Sequence, residues 1–91
     1  MNIRWTKIAL SDLENVFEYI ASEDRPEAAR TVVKKIIAGI DNISKFPDIG
    51  HKGRVPKTKE LVIPGTPFTV VYRVYKDALQ ILTIIHHSRM W

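Results

Sequence analysis

Residues 24–47, D-R-P-E-A-A-R-T-V-V-K-K-I-I-A-G-I-D-N-I-S-K-F-P, carry the clearest apolar stripe in the chain. Ala29, Val32, Val33, Ile36, Ile37, Ile40 and Ile43 recur at the three- and four-residue steps of one helical face. Arg30, Lys34, Lys35, Asp41 and Asn42 fall on the other side. Asp24 is placed to cap this helix. Pro26 suits a first turn because its missing N–H would be unpaired there, and Glu27 favours the positive helix end. Pro47 ends the run. About 20 residues at about 1.5 Å each make a helix of roughly 30 Å. Gly39 in its interior costs about 1 kcal/mol relative to alanine, which a close helix crossing would explain.

Upstream, Leu13, Val16, Phe17 and Ile20 repeat the same spacing, with Glu14 and Glu18 on the wet side. Two start signals compete: Thr6 as an N-cap, and Ser11 with Glu14 as a capping box. This helix should stop near residues 22–24. The short connection to the next makes the pair an antiparallel hairpin. Residues 2–5 read as a short strand. Residues 47–59, P-D-I-G-H-K-G-R-V-P-K-T-K, read as a loop from their proline, glycine and charge.

Residues 60–63 form a strand stopped by Pro64-Gly65, and 67–75 are rich in β-branched and aromatic residues. Lys76-Asp77-Ala78 makes a short turn. Residues 79–87 are apolar on both faces, as an inner strand covered on both sides should be. The expected architecture is therefore α+β in the order β-α-α-β-β-β, one domain over residues 1–91. Its helical hairpin covers a mainly antiparallel sheet.

Composition narrows the chemistry. The 91 residues are 45% hydrophobic and 26% charged, ordinary for a folded globular chain. With no cysteine, disulfides, thiolate metal sites and cysteine nucleophiles are excluded. No signal-like leader and no apolar run of about 18 residues is present, so a cytoplasmic protein with no membrane segment is expected. The net charge is +4, and its distribution is uneven. Residues 1–47 hold seven Lys/Arg and seven Asp/Glu, whereas 48–91 hold seven against three, with all three histidines. A basic half on a small domain points to an anionic partner.

Motifs for common catalysis are missing. His86 and His87 are neighbours on a strand and point to opposite faces, so they cannot share one ion, and no metal or cofactor is expected. No G-x-S-x-G occurs, and Gly50-His51-Lys52-Gly53-Arg54 matches neither phosphate-loop fingerprint. What remains is a basic constellation over the strand half: Lys52, Arg54, Lys57, Lys59, Arg73, His86, His87 and Arg89, with Tyr72, Tyr75 and Trp91 interleaved. Metal-independent RNA cleavage needs a group to activate a 2′-hydroxyl and cations to stabilise the transition state. Arg89, Arg73, His87 and Lys59 are the candidates for that. The same residue types also build protein interfaces.

Five stretches in succession resemble the RelE/ParE toxin superfamily of bacterial type II toxin–antitoxin modules, the plasmid-stabilisation proteins. They are A-L-S-D-L-E-N-V-F-E-Y-I-A, E-A-A-R, F-P-D-I-G-H-K-G-R, K-E-L-V-I-P-G-T-P-F-T-V-V-Y-R-V and I-L-T-I-I-H-H-S-R-M-W. The resemblance spans nearly the whole chain and implies the same fold. It also implies a cognate DNA-binding antitoxin with an acidic tail, laid over helix positions such as Leu10, Tyr19 and Val33.

The superfamily's ribonuclease members cleave mRNA on the ribosome, with lysines on the second strand, where this chain has Glu60 and Val62. They carry an arginine after the aromatic that opens the third strand; here Phe68 is followed by Thr69. Their tyrosine after the last strand has no counterpart, while their arginine there matches Arg89. K-E-L-V-I-P-G and V-V-Y-R-V look like the ParE side, whose members inhibit DNA gyrase without catalysis. The resemblance thus implies a gyrase inhibitor, and the basic strand half supplies the expected target-binding residues Lys52, Arg54, Lys57, Lys59, Arg73, Arg89 and Trp91. The alternative is an mRNA interferase.

Overall fold

The order of the computed structural model, which describes residues 1–22 and 24–87, is β1 (Asn2–Trp5), α1 (Lys7–Ala21), α2 (Pro26–Lys45), β2 (His51–Lys52), β3 (Lys59–Val62), β4 (Phe68–Tyr75) and β5 (Ala78–His86). The expected α+β layering is present, with one strand more than expected. Residues 51–52, inside the segment read as a loop, pair with β3 as a fourth strand after the hairpin. The sheet runs β1-β5-β4-β3-β2. All neighbours are antiparallel except β1, which lies parallel to β5.

Thr6 decides where α1 begins. Its hydroxyl oxygen accepts the Ala9 N–H at 3.1 Å, the bond a helix cap makes. Its single hydroxyl proton has the Ile81 and Leu82 carbonyls in reach at 3.0 and 2.9 Å, and its own N–H donates to Ile81. The cap is thus tied to the sheet where β1 ends, since Trp5 is the last residue paired with β5. Beyond that point α1 serves the exposed edge of β5. Asp12 Oδ2 accepts the Ile84 N–H at 3.0 Å and the Thr83 hydroxyl at 2.5 Å. Opposite β4 the ladder slips by one residue at Leu82, between Val71 and Tyr72, the kind of irregularity that bends a strand locally.

α2 starts at Pro26, but Asp24 does not cap it. The N-cap residue is Arg25, which makes no side-chain capping bond, and Asp24 sits at φ 56° in the connection. Ala29, Ile36, Ile40 and Ile43 are buried as the stripe requires, whereas Ile37 is exposed. Gly39 is explained by the sheet and not by a helix crossing. A Cβ there would lie 2.5 Å from Ile63 Cδ1, and the next neighbours are Ile63 Cγ1 and Leu61. The missing side chain lets α2 settle onto the end of β3.

Alternation then gives the sheet two different faces. Toward the helices point Ile3 and Trp5, Leu79, Ile81 and Ile84, Phe68, Val70 and Tyr72, and Leu61, which form one core with Val16, Ile36, Ile40 and Ile43. Away from the helices point Arg4, Gln80, Arg73, Tyr75, Val71, Thr69 and Glu60. β5 is buried at Leu79, Ile81 and Ile84 on the helix side and at Ala78 and Ile85 on the other, while Gln80, Leu82 and Thr83 in its middle are only half-buried, so the expected cover on both sides is partial. Among the described residues no helix is long and apolar enough to cross a membrane.

Candidate target-binding surface

The residue that organises the basic end is Tyr72. Its ring is fully buried on β4, and its hydroxyl reaches the chain leaving α2. That hydroxyl accepts the Gly50 N–H at 3.0 Å and donates to the Pro47 carbonyl at 2.7 Å. Burial pushes the phenol above its ordinary pKa, the Gly50 hydrogen bond opposes this, and the nearby Asp48 carboxylate adds to the rise. A phenol held neutral and pointed at the backbone is a strut, not a base. It fixes the approach to β2, whose His51 ring Nδ1 lies 3.1 Å from the Glu60 carbonyl.

The loop after β2 is then folded on itself. Gly53 N–H donates to Thr58 O at 2.9 Å, the Thr58 hydroxyl donates to Val55 O at 2.6 Å, and Lys57 turns the corner at φ 66°. Lys52 and Lys59 lie directly opposite each other across β2 and β3. Like charges there are mildly destabilising. Lys59 Nζ comes within 3.9 Å of Asp48, an exposed carboxylate from which little energy follows.

Arg54 has a different occupation. Its backbone N–H donates to Glu60 Oε2 at 3.0 Å and its Nε lies 3.5 Å from the same oxygen. The Glu60 side chain is only 5% exposed, so it is a buried carboxylate on the face away from the helices, held by Arg54. The position at which a ribonuclease relative would carry a strand lysine is therefore negative and closed.

Arg73 points to that same face, at the β4–β5 end. Its Nε donates to Gln80 Oε1 at 2.6 Å, and its guanidinium carbon lies 5.0 Å from the centre of the Tyr75 ring. Lys76 Nζ lies 5.4 Å from the same ring. Arg4, on β1, stands beside Gln80 on this face. Tyr75 is half exposed. Of this group only Arg73 belongs to the expected target-binding set. Arg4 becomes its neighbour only through the parallel β1–β5 pairing, which local sequence does not announce.

The three cleavage candidates among the described residues, Lys59, Arg73 and His87, do not converge. Arg89 lies outside the described residues, as does Trp91. Arg73 faces away from the helices, while Lys59 shares the register position of Tyr72, which faces them. His87 follows β5 and holds Pro67 O through its backbone N–H at 2.8 Å. From the Phe68–His86 pair to Arg73 is roughly 17 Å along β4 at about 3.3 Å per residue. His86 packs edge-on against Phe68 with centroids 5.3 Å apart.

The expected antitoxin contacts are also divided. Val33 lines a shallow groove with Leu13 and Phe17 between the two helices. Leu10 precedes Phe17 by seven residues and so lies on its side of α1. Tyr19, nine residues from Leu10, stands about 180° round the helix at 100° per residue. There it lines a groove of about 400 Å³ with Asp12, Asn15, Phe68, Ile84 and His86. Leu10 and Tyr19 are both exposed.

The chain is similar to several known proteins along almost its full length. The family model described as the ParE toxin of the type II toxin–antitoxin system parDE matches residues 3–91. Y4kP of Sinorhizobium fredii, which carries a provisional toxin name, is 38% identical over 89 residues, covering 98% of this chain and 91% of its own. A chain from the structure of a chromosomal ParDE toxin–antitoxin system from P. aeruginosa superposes with a TM-score of 0.85 at 26% identity, over 94% of this chain and 95% of that one. A chain of the intact E. coli RelBE toxin–antitoxin complex shares the fold alone, with a TM-score of 0.72 at 12% identity over 97% and 98% of the two chains.

Proposed function

The chain belongs to the ParE toxin family of type II toxin–antitoxin systems, and from that premise we propose that it arrests growth by binding and inhibiting DNA gyrase, without cutting RNA. One observation carries the choice: Glu60, a buried carboxylate engaged by Arg54, occupies the sheet position where a ribonuclease relative would place a cation. A phosphodiester drawn to that face would find no free cation at that strand position, and the separated Lys59, Arg73 and His87 offer it no common centre. A protein surface needs no such convergence, because separated side chains can each meet their own partner.

A cognate antitoxin neutralises the toxin by covering apolar residues of the helical hairpin, the exposed Leu10 and half-buried Val33 on one side of α1 and the exposed Tyr19 on the other. The toxin acts in the cytoplasm, where gyrase and DNA are.

The test is induction without the antitoxin, reading plasmid topology and transcript integrity from the same cells, together with supercoiling by purified gyrase. The expected result is lost supercoiling or trapped cleaved DNA with intact transcripts. Transcripts cut within ribosome-bound codons, with plasmids still supercoiled, would identify an mRNA interferase and overturn the reading.

A further inference from the structure

The two residues that turn β4 into β5 are Lys76 and Asp77, at φ 49° and 61°. A two-residue hairpin turn with both central residues in the left-handed region is the type that Asn-Gly satisfies without strain. Aspartate visits that region readily, so Asp77 fits it, but Lys76 keeps a long side chain where the backbone would be better without one. Strained residues held in place by their surroundings cluster at functional sites.

Lys76 spends its position over the Tyr75 ring, and Arg73 takes another approach to the same ring. Both contacts are cation–π contacts, and together they hold an exposed tyrosine in one orientation. Gln80 fixes the Arg73 guanidinium through Nε, and its two terminal nitrogens remain as donors that a carboxylate can accept in pairs. Arg4 adds a third cation across Gln80. Tyrosine and arginine, pre-ordered and half exposed, are the side chains that dominate protein interfaces.

We propose that this tip, with Tyr75 held between Arg73 and Lys76 and Arg4 alongside, is the anchor by which the toxin grips a carboxylate-bearing segment of its target protein. The inference rests on the reading that the target is a protein. Charge selects the partner. Arg73 and Lys76 approach the ring and Arg4 pairs across with Gln80, while the exposed Asp77 stands at the turn itself. A continuous phosphate backbone laid over the tip would run against that carboxylate. Discrete Asp or Glu side chains on a protein can meet the cations and avoid Asp77, and the Arg73 guanidinium matches a single carboxylate.

Three variants of the full-length toxin test this: Lys76→Asn with Asp77→Gly, Tyr75→Ala, and Arg4→Glu. Each is measured for melting temperature, antitoxin binding, gyrase inhibition and growth arrest. The Asn-Gly variant is decisive because it removes strain together with the lysine. It should melt at or above the wild-type temperature yet need roughly tenfold more toxin, or worse, for half-inhibition. The other two should lose potency similarly, and all three should bind antitoxin as the wild type does. Wild-type inhibition should weaken with added salt.

Folded variants with wild-type potency would overturn the proposal, as would variants that lose antitoxin binding while their potency stays. If wild-type toxin arrests growth and leaves gyrase untouched, the gyrase reading fails but the tip is still judged by growth arrest. Variants that no longer arrest growth, with transcripts uncut by wild type, uphold it. Variants whose loss is a loss of transcript cleavage replace the protein target by RNA and overturn it.

Discussion

Replacing Tyr72 by phenylalanine removes one oxygen and should loosen the whole basic end. The ring stays in the core, so no cavity is made. What is lost is the acceptor for the Gly50 N–H and the donor to Pro47 O. Gly50 is buried, so its N–H has poor access to water in exchange. A net hydrogen bond contributes about 1 kcal/mol and a stranded buried group costs about 1–3 kcal/mol. The expected loss is therefore about 1–3 kcal/mol, or roughly 4–8 °C in melting temperature per kcal/mol for a domain of this size.

The pH dependence provides a second check on the same variant. The folded phenol is held above its ordinary value, chiefly by burial, so the folded state keeps a proton that the unfolded state releases near pH 10. The stabilisation is complete below the unfolded pKa and is lost as pH rises from there toward the folded one. Phenylalanine has nothing to titrate. The gap between wild type and Tyr72→Phe, measured by urea unfolding, should hold steady to about pH 9.5 and then shrink by up to about 1.4 kcal/mol per pH unit. A gap under about 0.5 kcal/mol at neutral pH, or one that widens in alkali, would refute the reasoning.

Asp12→Ala should cost about 2–3 kcal/mol in urea unfolding, because it strands the Ile84 N–H and the Thr83 hydroxyl, whereas Asp12→Asn keeps an acceptor and should cost less. Gly39→Ala gains about 1 kcal/mol of helix propensity but drives its Cβ into Ile63, so the net should be a loss of about 1 kcal/mol; adding Ile63→Val removes the clashing methyl, and a double-mutant cycle should show favourable coupling. Glu60→Ala should cost about 1–3 kcal/mol and speed amide exchange at Arg54, while Glu60→Gln, which retains an acceptor for that N–H, should do neither strongly.

Helices were legible in the sequence because their signal is periodic and local. The stripe from Ala29 to Ile43 could bury itself only against a sheet, and the strands after it were rich enough in β-branched residues to supply one. Where local signals tied, long-range contacts decided. Thr6 and Ser11 were both adequate caps, but only Thr6 reaches the carbonyls of Ile81 and Leu82, more than 70 residues away. β2 was invisible for a related reason. Two residues, His51 and Lys52, have no period, and they are a strand because Tyr72 and Glu60 hold that stretch of backbone.

The basic constellation was visible only as a count. Sequence could not show that Arg54 is engaged by Glu60, nor that Lys59 and Arg73 lie on opposite faces. Face assignment needs register, and register is fixed by pairing. Arg4 illustrates the limit, since its place beside Arg73 depends on two strand pairings that join the chain's first residues to its last strand.

These placements constrain how a single antitoxin could silence the toxin. Val33 and Tyr19 lie in separate grooves on either side of α1, so a segment touching both must pass across a helix about 10 Å in diameter. The Tyr75 tip lies on the far face of the sheet, with the whole β-layer between it and the helical hairpin. A compact partner seated on the helices would leave that tip free. If the Tyr75 tip is the target-binding site, neutralisation calls for an elongated partner that rounds an edge of the sheet, or for one bulky enough that a target cannot approach. With the molecule only 41 Å in its longest dimension, a few turns of helix followed by a short extended stretch are enough to reach round it.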